Sequence, residues 1–252
     1  RVGRIIGPKA QYIQASTIHS LCLKILKEHL RKVEVIDQSL QRRLIGDATD
    51  HAYENRGIKA NDKRRLGWRY WMGWVDWAKT NSEGKSGICA QMEKSRPSNP
   101  ANRLLAEIAG DVLREYEGQK AGLYDFTDLL TKCWELLEGN QAVLSGLRGR
   151  YRYVLNDELQ DSSSIQLKIL EAIADGKFFG VGDGDQALYT WRQADPEETI
   201  FGFKGRHPDG LVFKLNTNYR STRRIVQTAG ALIRHSYESE ERKQYEKETR
   251  AR

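Results

Sequence analysis

Cysteine is scarce in this chain of 252 residues, and the few present form no recognisable spacing. Cys22, Cys89 and Cys133 lie far apart, are odd in number and make no CxxC pair, which excludes a disulfide framework and leaves reduced thiols as the expectation. Histidines stand at 19, 29, 51, 207 and 235 without an HExxH or finger pattern, which argues against a zinc site. No apolar run approaches the ~20 residues that cross a bilayer, and no signal-peptide core opens the chain. No membrane partner is therefore expected. The first residue is Arg1 rather than Met, as expected of a piece of something longer.

Charge is plentiful by contrast. Charged residues make up 30% of the chain, hydrophobic ones 39%, and the formal net charge is +7. A basic balance favours polyanionic partners through counterion release, although Lys and Arg are spread along the whole sequence. The length is enough for one core with a sizeable insertion.

The order of elements reads as α/β, then helical, then α/β again. Residues 10 to 16 read as a short strand, after which Thr17 caps a helix with Leu21, Ile25, Leu26 and Leu30 on one face. From Asp37 to Gly118 helical periodicities take over: Leu40, Leu44 and Ala48, then Trp71, Trp74, Val75 and Ala78, then Leu104, Leu105, Ile108, Val112 and Tyr116. The segment from Asn81 to Pro100 reads as a loop. Trp71 and Trp74 have the spacing of core residues. Trp68 and Trp77 are harder to bury beside them, and stacking on a base or packing on a neighbouring domain would each suit an exposed ring. Asp125 is the expected cap of the next helix. Val154 and Leu155 end a strand at Asp157, and Ser162 starts a helix with Ile165, Ile169, Leu170 and Ile173. Further expectations are a strand over Lys177 to Val181, a helix near Glu197 to Phe203, a strand over Leu211 to Leu215 and a helix from Ser221 to Ile233. Strands alternating with helices imply a parallel sheet whose ligands bind beyond the carboxyl ends of the strands.

Asp157, Glu158, Asp183 and Gln186 all fall just past such ends. An Asp at a strand end can hold magnesium, and an adjacent Glu can take a proton from an attacking water. An acidic pair in that position is by itself more often a surface turn. Here Gln160 and Asp161 follow it, and a second polar tip, Gly182-Asp183-Gly184-Asp185-Gln186, arrives at the next sheet position. Its glycines permit a tight turn with positive φ, and Gln186 offers a neutral hydrogen-bonding group to a terminal phosphate. Tyr189, Trp191 and Arg192 place aromatic faces beside a cation, which suits stacking on single-stranded bases as well as plain core packing. Arg220 in Asn218-Tyr219-Arg220-Ser221 has the chemistry of an arginine finger, and Tyr219 that of a base-stacking ring.

Together these segments resemble the UvrD/Rep-like branch of superfamily 1 DNA helicases. The family blocks VDEFQD, GDxDQSIYxWRGA and NYRS stand here as Leu155 to Asp161, Gly182 to Ala194 and Asn218 to Ser221. Ser16 to Ser20 is similar to the family's TFHS segment, and Asp125 to Leu130 is a further weaker block. The resemblance implies a RecA-like α/β motor lobe with a parallel sheet of the P-loop NTPase type over residues 1–36 and 119–214. An all-helical subdomain is inserted over 37–118, and a second motor lobe begins at 215–252. It implies ATP and Mg2+ as cofactors, single-stranded DNA and duplex/single-strand junctions as partners, 3′ to 5′ movement, and a cytoplasmic, nucleoid-associated location. Residue by residue it gives Asp157 the magnesium, Glu158 the role of base, Gln186 the γ-phosphate, Arg220 the phosphate from across the cleft and Tyr219 the adenine. Thr17, His19, Tyr189, Trp191 and Arg192 fall on the DNA path.

Departures are equally specific. No GxxxxGK[ST] phosphate loop occurs. Gly84-Lys85-Ser86 has Lys79 where the first glycine belongs and no strand before it. A truncated helicase with little ATPase activity of its own is the expectation. The other readings are a catalytically inactive helicase-like DNA-binding module and the motor part of a helicase-nuclease of the AddA or RecB type. Leu159, Gly184, Ala187 and Gln193 replace the usual Phe, Asp, Ser and Gly.

Overall fold

Local capping signals set the starts of several helices in the first half of the chain. Thr17 is extended, and its hydroxyl accepts from the Ser20 amide at 3.2 Å, opening α1 (Ile18–His29). Asp37 does the same for α2 (Gln38–Glu54), accepting from the Leu40 amide at 2.7 Å. Helices α3 (Trp68–Thr80) and α4 (Pro100–Lys120) follow. At α5 (Phe126–Gly139) the cap is reciprocal: Asp125 accepts from the Asp128 amide at 2.8 Å and Asp128 from the Asp125 amide at 2.9 Å. Helix α6 (Gln141–Arg150) ends this half. The computed structural model describes residues 7–59, 61–62, 65–80, 100–187, 194–234 and 250–251. Two compact units divide at Arg150 and Tyr151.

In the first unit the apolar stripes of α2, α3 and α4 close on one core built from Ile45, Tyr53, Trp71, Val75, Val112 and Tyr116. Trp71 is buried and donates its ring N–H to the Leu66 carbonyl at 3.1 Å, so the one polar atom of the indole is satisfied. Trp74 is partly buried against the same core, and Trp77 is 48% exposed. Trp68 also packs on this core, with the guanidinium groups of Arg42 and Arg69 over its ring. Helix α1 packs on α5, where Cys22 and Cys133 meet as buried free thiols. The hydrogen bond with Cys133, together with burial, pushes the Cys22 thiol well up. The chain enters α2 and returns to α5 at one place: Val35 and Tyr124 form a parallel bridge, with the Ile36 amide on the Tyr124 carbonyl and the Tyr124 amide on the Glu34 carbonyl, both at 2.8 Å.

A buried ionic network ties α3, α4 and α5 together. Lys79 lies 2.6 Å from both Asp125 and Asp128, Lys120 lies 2.6 Å from Glu117 and also contacts Asp128, and the Tyr116 hydroxyl donates to Asp125 at 2.6 Å. Burial alone would raise the Asp125 carboxyl, but Lys79 and Lys120 outweigh it and hold it at about 2. Asp76, which accepts from Thr127 at 2.8 Å on the flank of this network, goes the other way: burial pushes its carboxyl up to about 6. Glu117, Asp125 and Asp128 converge closely enough to suggest a cation site, yet the ammonium groups of Lys79 and Lys120 already lie against all three carboxylates.

The second unit holds the parallel pair β1 (Val154–Asn156) and β2 (Phe178–Gly180), with α7 (Ser164–Ala174) as the crossover. Register pairs Val154 with Phe178, Leu155 with Phe179 and Asn156 with Gly180. Helix α7 buries Ile165, Leu167, Ile169, Leu170 and Ile173 and packs on both strands. A π-helical turn, Glu197–Phe201, runs into α8 (Phe203–Arg206), and β3 (Thr217–Asn218) leads to α9 (Arg223–Arg234) and pairs in parallel with β4 (Arg250–Ala251).

Two expected strands are absent. Over residues 10 to 16 the chain instead forms a 3-10 turn, Gly7–Tyr12, followed by irregular backbone, with Tyr12 and Ile13 both exposed. Leu211 to Leu215 is irregular too, and Leu211, Phe213 and Leu215 face water. In both places apolar residues had the composition of a strand, but among the described residues neither segment has a neighbour to complete a ladder. The expected loop from Asn81 lies outside the described residues up to residue 99.

Candidate active site

A parallel strand pair with a helical crossover brings the carboxyl ends of both strands to the same edge. The ladder continues past the strands, with the Val181 amide on the Asn156 carbonyl and the Leu159 amide on the Val181 carbonyl, each at 2.8 Å. Asp157-Glu158 and Gly182 to Gln186 therefore leave the sheet side by side.

Glu158 turns the chain by taking the left-handed conformation, φ 51° and ψ 47°. For a side chain with a Cβ this costs roughly 1 to 2 kcal/mol. The turn sends Leu159 and Gln160 into the interior and leaves Asp157 and Glu158 exposed. Asp157 accepts from the Glu158 amide at 3.1 Å. Gln160 then reaches both ways: its Nε2 donates to Glu158 Oε2 at 2.8 Å, and its Oε1 accepts from the Asp183 amide at 2.9 Å. Asp183 in turn caps the 3-10 turn Gly184–Gln186, accepting from the Asp185 amide at 3.1 Å and from Gln186 Nε2 at 2.7 Å. One hydrogen-bonded chain thus runs Glu158, Gln160, Asp183, Gln186.

The glycines of this tip serve a different purpose from the one the sequence implied. Neither Gly182 nor Gly184 has positive φ. What they provide is room: a Cβ on Gly182 would lie 2.7 Å from Gln160 Oε1 and 2.8 Å from Ile200, and one on Gly184 would lie 2.5 Å from the Phe201 ring. The left-handed residue sits at Glu158 instead, on the facing tip. The return segment holds this arrangement from below, with the Asp195 amide on the Ser162 carbonyl at 3.2 Å and Thr199 fully buried.

Asp157, Glu158 and Gln186 are thereby brought to one edge. Arg220 and Tyr219 stand exposed after β3, in the separate β3–β4 pair, on a turn where Asn218 accepts from the amides of Arg220 at 2.9 Å and Ser221 at 2.8 Å. Thr17 and His19 belong to the first unit. Thr17 is engaged as the cap of α1, and His19 is half-buried with its ring 6.0 Å from that of Phe126, burial lowering its pKa. Tyr189, Trp191 and Arg192 lie outside the described residues. Gln160 is the residue whose importance sequence reasoning missed. Its signal was a polar residue directly behind the acidic pair, at a place where the chain turns inward.

The donor set suits a magnesium-bound nucleotide. Asp157 presents an exposed carboxylate, a hard oxygen ligand, at the strand edge, Glu158 follows it with a second carboxylate, and the Gln186 amide is held by Asp183 on the neighbouring tip. Known proteins resemble the chain over most of its length. Residues 1–208 match the UvrD/REP helicase N-terminal domain. The chain is 30% identical to the ATP-dependent DNA helicase PcrA of Staphylococcus epidermidis RP62A, over 94% of this chain and 32% of that protein. It is 29% identical to the PcrA of Staphylococcus aureus Mu50, with the same coverage. The chain thus spans about a third of the length of these relatives. A parallel pair whose polar tips are joined side by side, within a match that takes in most of the sequence, makes this chain a member of the UvrD/REP helicase family, with the RecA-like α/β fold of its N-terminal domain.

Proposed function

We propose that the chain supplies the first motor lobe of an ATP-dependent DNA helicase that translocates 3′ to 5′ along single-stranded DNA and acts at duplex/single-strand junctions. The observation that carries this reading is the hydrogen-bonded chain from Glu158 to Gln186 at the carboxyl edge of β1 and β2. Asp157 would hold Mg2+, which supplies charge neutralisation at the phosphates. Glu158 accepts the proton of the attacking water, and Gln186 reads the terminal phosphate as a neutral group whose contacts change when that phosphate leaves. Arg220 and Tyr219 act from the second lobe, on phosphate and adenine. Tyr189, Trp191 and Arg192 lie on the DNA path, with Thr17 and His19 near its backbone. The helices between Val35 and Tyr124 form an inserted subdomain over 37–118, a reading supported by the bridge that joins its two ends.

The test is Glu158→Gln in the complete gene product. It keeps the shape of the side chain and removes the base, so ATP binding is retained while single-strand-stimulated hydrolysis falls by about 10²- to 10⁴-fold. Turnover equal to wild type contradicts the assignment of Glu158. A wild-type protein that binds single-stranded DNA and never hydrolyses ATP is an inactive DNA-binding relative instead.

A further inference from the structure

The proposed reaction uses Glu158 and Gln186 and gives Gln160, which stands between them, no task. Gln160 is 2% exposed, and both ends of its amide are spent on directional hydrogen bonds to the two tips. A buried amide is costly to leave unpaired, so its orientation is fixed by having Glu158 on the donor side and Asp183 on the acceptor side. The tip after β2 is shaped around this amide, since a Cβ at Gly182 would collide with Gln160 Oε1. Glu158 is exposed, and without the contact from Gln160 Nε2 its long side chain would be spread over several rotamers. Asp183, which receives Gln160 through its amide, holds Gln186 through its carboxylate. The position of the tip and the aim of the Glu158 carboxylate are joined through one side chain.

We propose that Gln160 is a positioning residue: it ties the Glu158 carboxylate to the 182–186 tip, so that hydrolysis runs at full rate only when that tip, with Gln186 on it, is seated. This inference rests on the motor reading above.

Two variants and two readouts test it. Gln160→Met keeps the volume and removes both hydrogen bonds; Gln160→Glu keeps the acceptor for Asp183 and removes the donor to Glu158. In the 252-residue chain without nucleotide, amide hydrogen exchange at Asp183 is expected to speed up about tenfold or more in Gln160→Met, while the Val181 amide, bonded to Asn156, stays protected. In Gln160→Glu the Asp183 amide keeps its protection. In the complete gene product both variants are expected to lose about a hundredfold in single-strand-stimulated kcat, with KM for ATP within about threefold of wild type. If Gln160→Met does not fold, Gln160→Glu decides alone. An unprotected Asp183 amide in the wild type overturns the inference. So does a kcat within about twofold of wild type, or a loss spread equally over kcat, KM and melting temperature. Normal variants of a hydrolysing wild type sink this inference and leave the motor reading standing. A wild type without hydrolysis sinks the motor reading and this inference with it.

Discussion

Asp76 and Asp125 are carboxylates of the same buried neighbourhood with opposite electrostatics. Asp125 has two ammonium groups against it and is held at about 2, whereas burial dominates at Asp76 and raises it to about 6. Stability contributed by Asp125 is present above its ordinary carboxylate range and is lost as pH falls towards 2. The contribution of neutral Asp76 is whole below about pH 4 and is lost as pH rises through about 6. Asp76→Asn removes the charge and keeps an acceptor for Thr127. Urea unfolding is expected to show the variant gaining about 2 kcal/mol over wild type between pH 4 and pH 8. An equal difference at both pH values would refute the burial argument. At the same scale, the acidic pair was legible as two adjacent letters behind an apolar strand. The left-handed backbone of Glu158 and the partner of Gln160, which lies 23 residues further on, were not, because both depend on how two strands pair.

Helix α3 shows what an element adds to its residues. Its four indoles occupy one helix, and the 3.6-residue turn sorts them: Trp71 goes to the core, Trp68 and Trp74 lie partly buried against it, and Trp77 is turned to water. Trp71→Ala is expected to cost about 3 to 5 kcal/mol of unfolding free energy through the cavity and the lost contact to Leu66, and Trp77→Ala less than about 1 kcal/mol. Denaturant titration of both variants checks the ranking, and equal losses would contradict it. Helices of this kind were readable because caps such as Thr17 and Asp125 and an apolar stripe are all contained in the segment itself. A strand is not self-contained. Residues 10 to 16 and Leu211 to Leu215 had the right letters, and the folded chain sets no ladder partner beside either among the described residues. The glycines at 182 and 184 were recognised as necessary for a reason of backbone conformation, whereas the cause is crowding by Gln160, Ile200 and Phe201, side chains from other elements.

As a whole molecule the chain carries a net charge of +7 and no GxxxxGK[ST] loop. The 252-residue polypeptide is therefore expected to bind a single-stranded oligonucleotide with an affinity that falls steeply between roughly 50 and 200 mM salt, and to turn over ATP very little with or without that oligonucleotide. Fluorescence anisotropy and phosphate release measure the two halves, and brisk stimulated turnover would show that the phosphates are gripped by groups other than the familiar loop. Such titrations meet a practical limit written into the β1–β2 pair. Leu155 and Phe179 stand in register, 72% and 56% exposed, on a ribbon of two strands. A greasy couple of this size facing water is expected to make the purified polypeptide self-adhesive, and light scattering across a concentration series checks it. Dilute samples and a charged residue at position 155 are the remedies that follow.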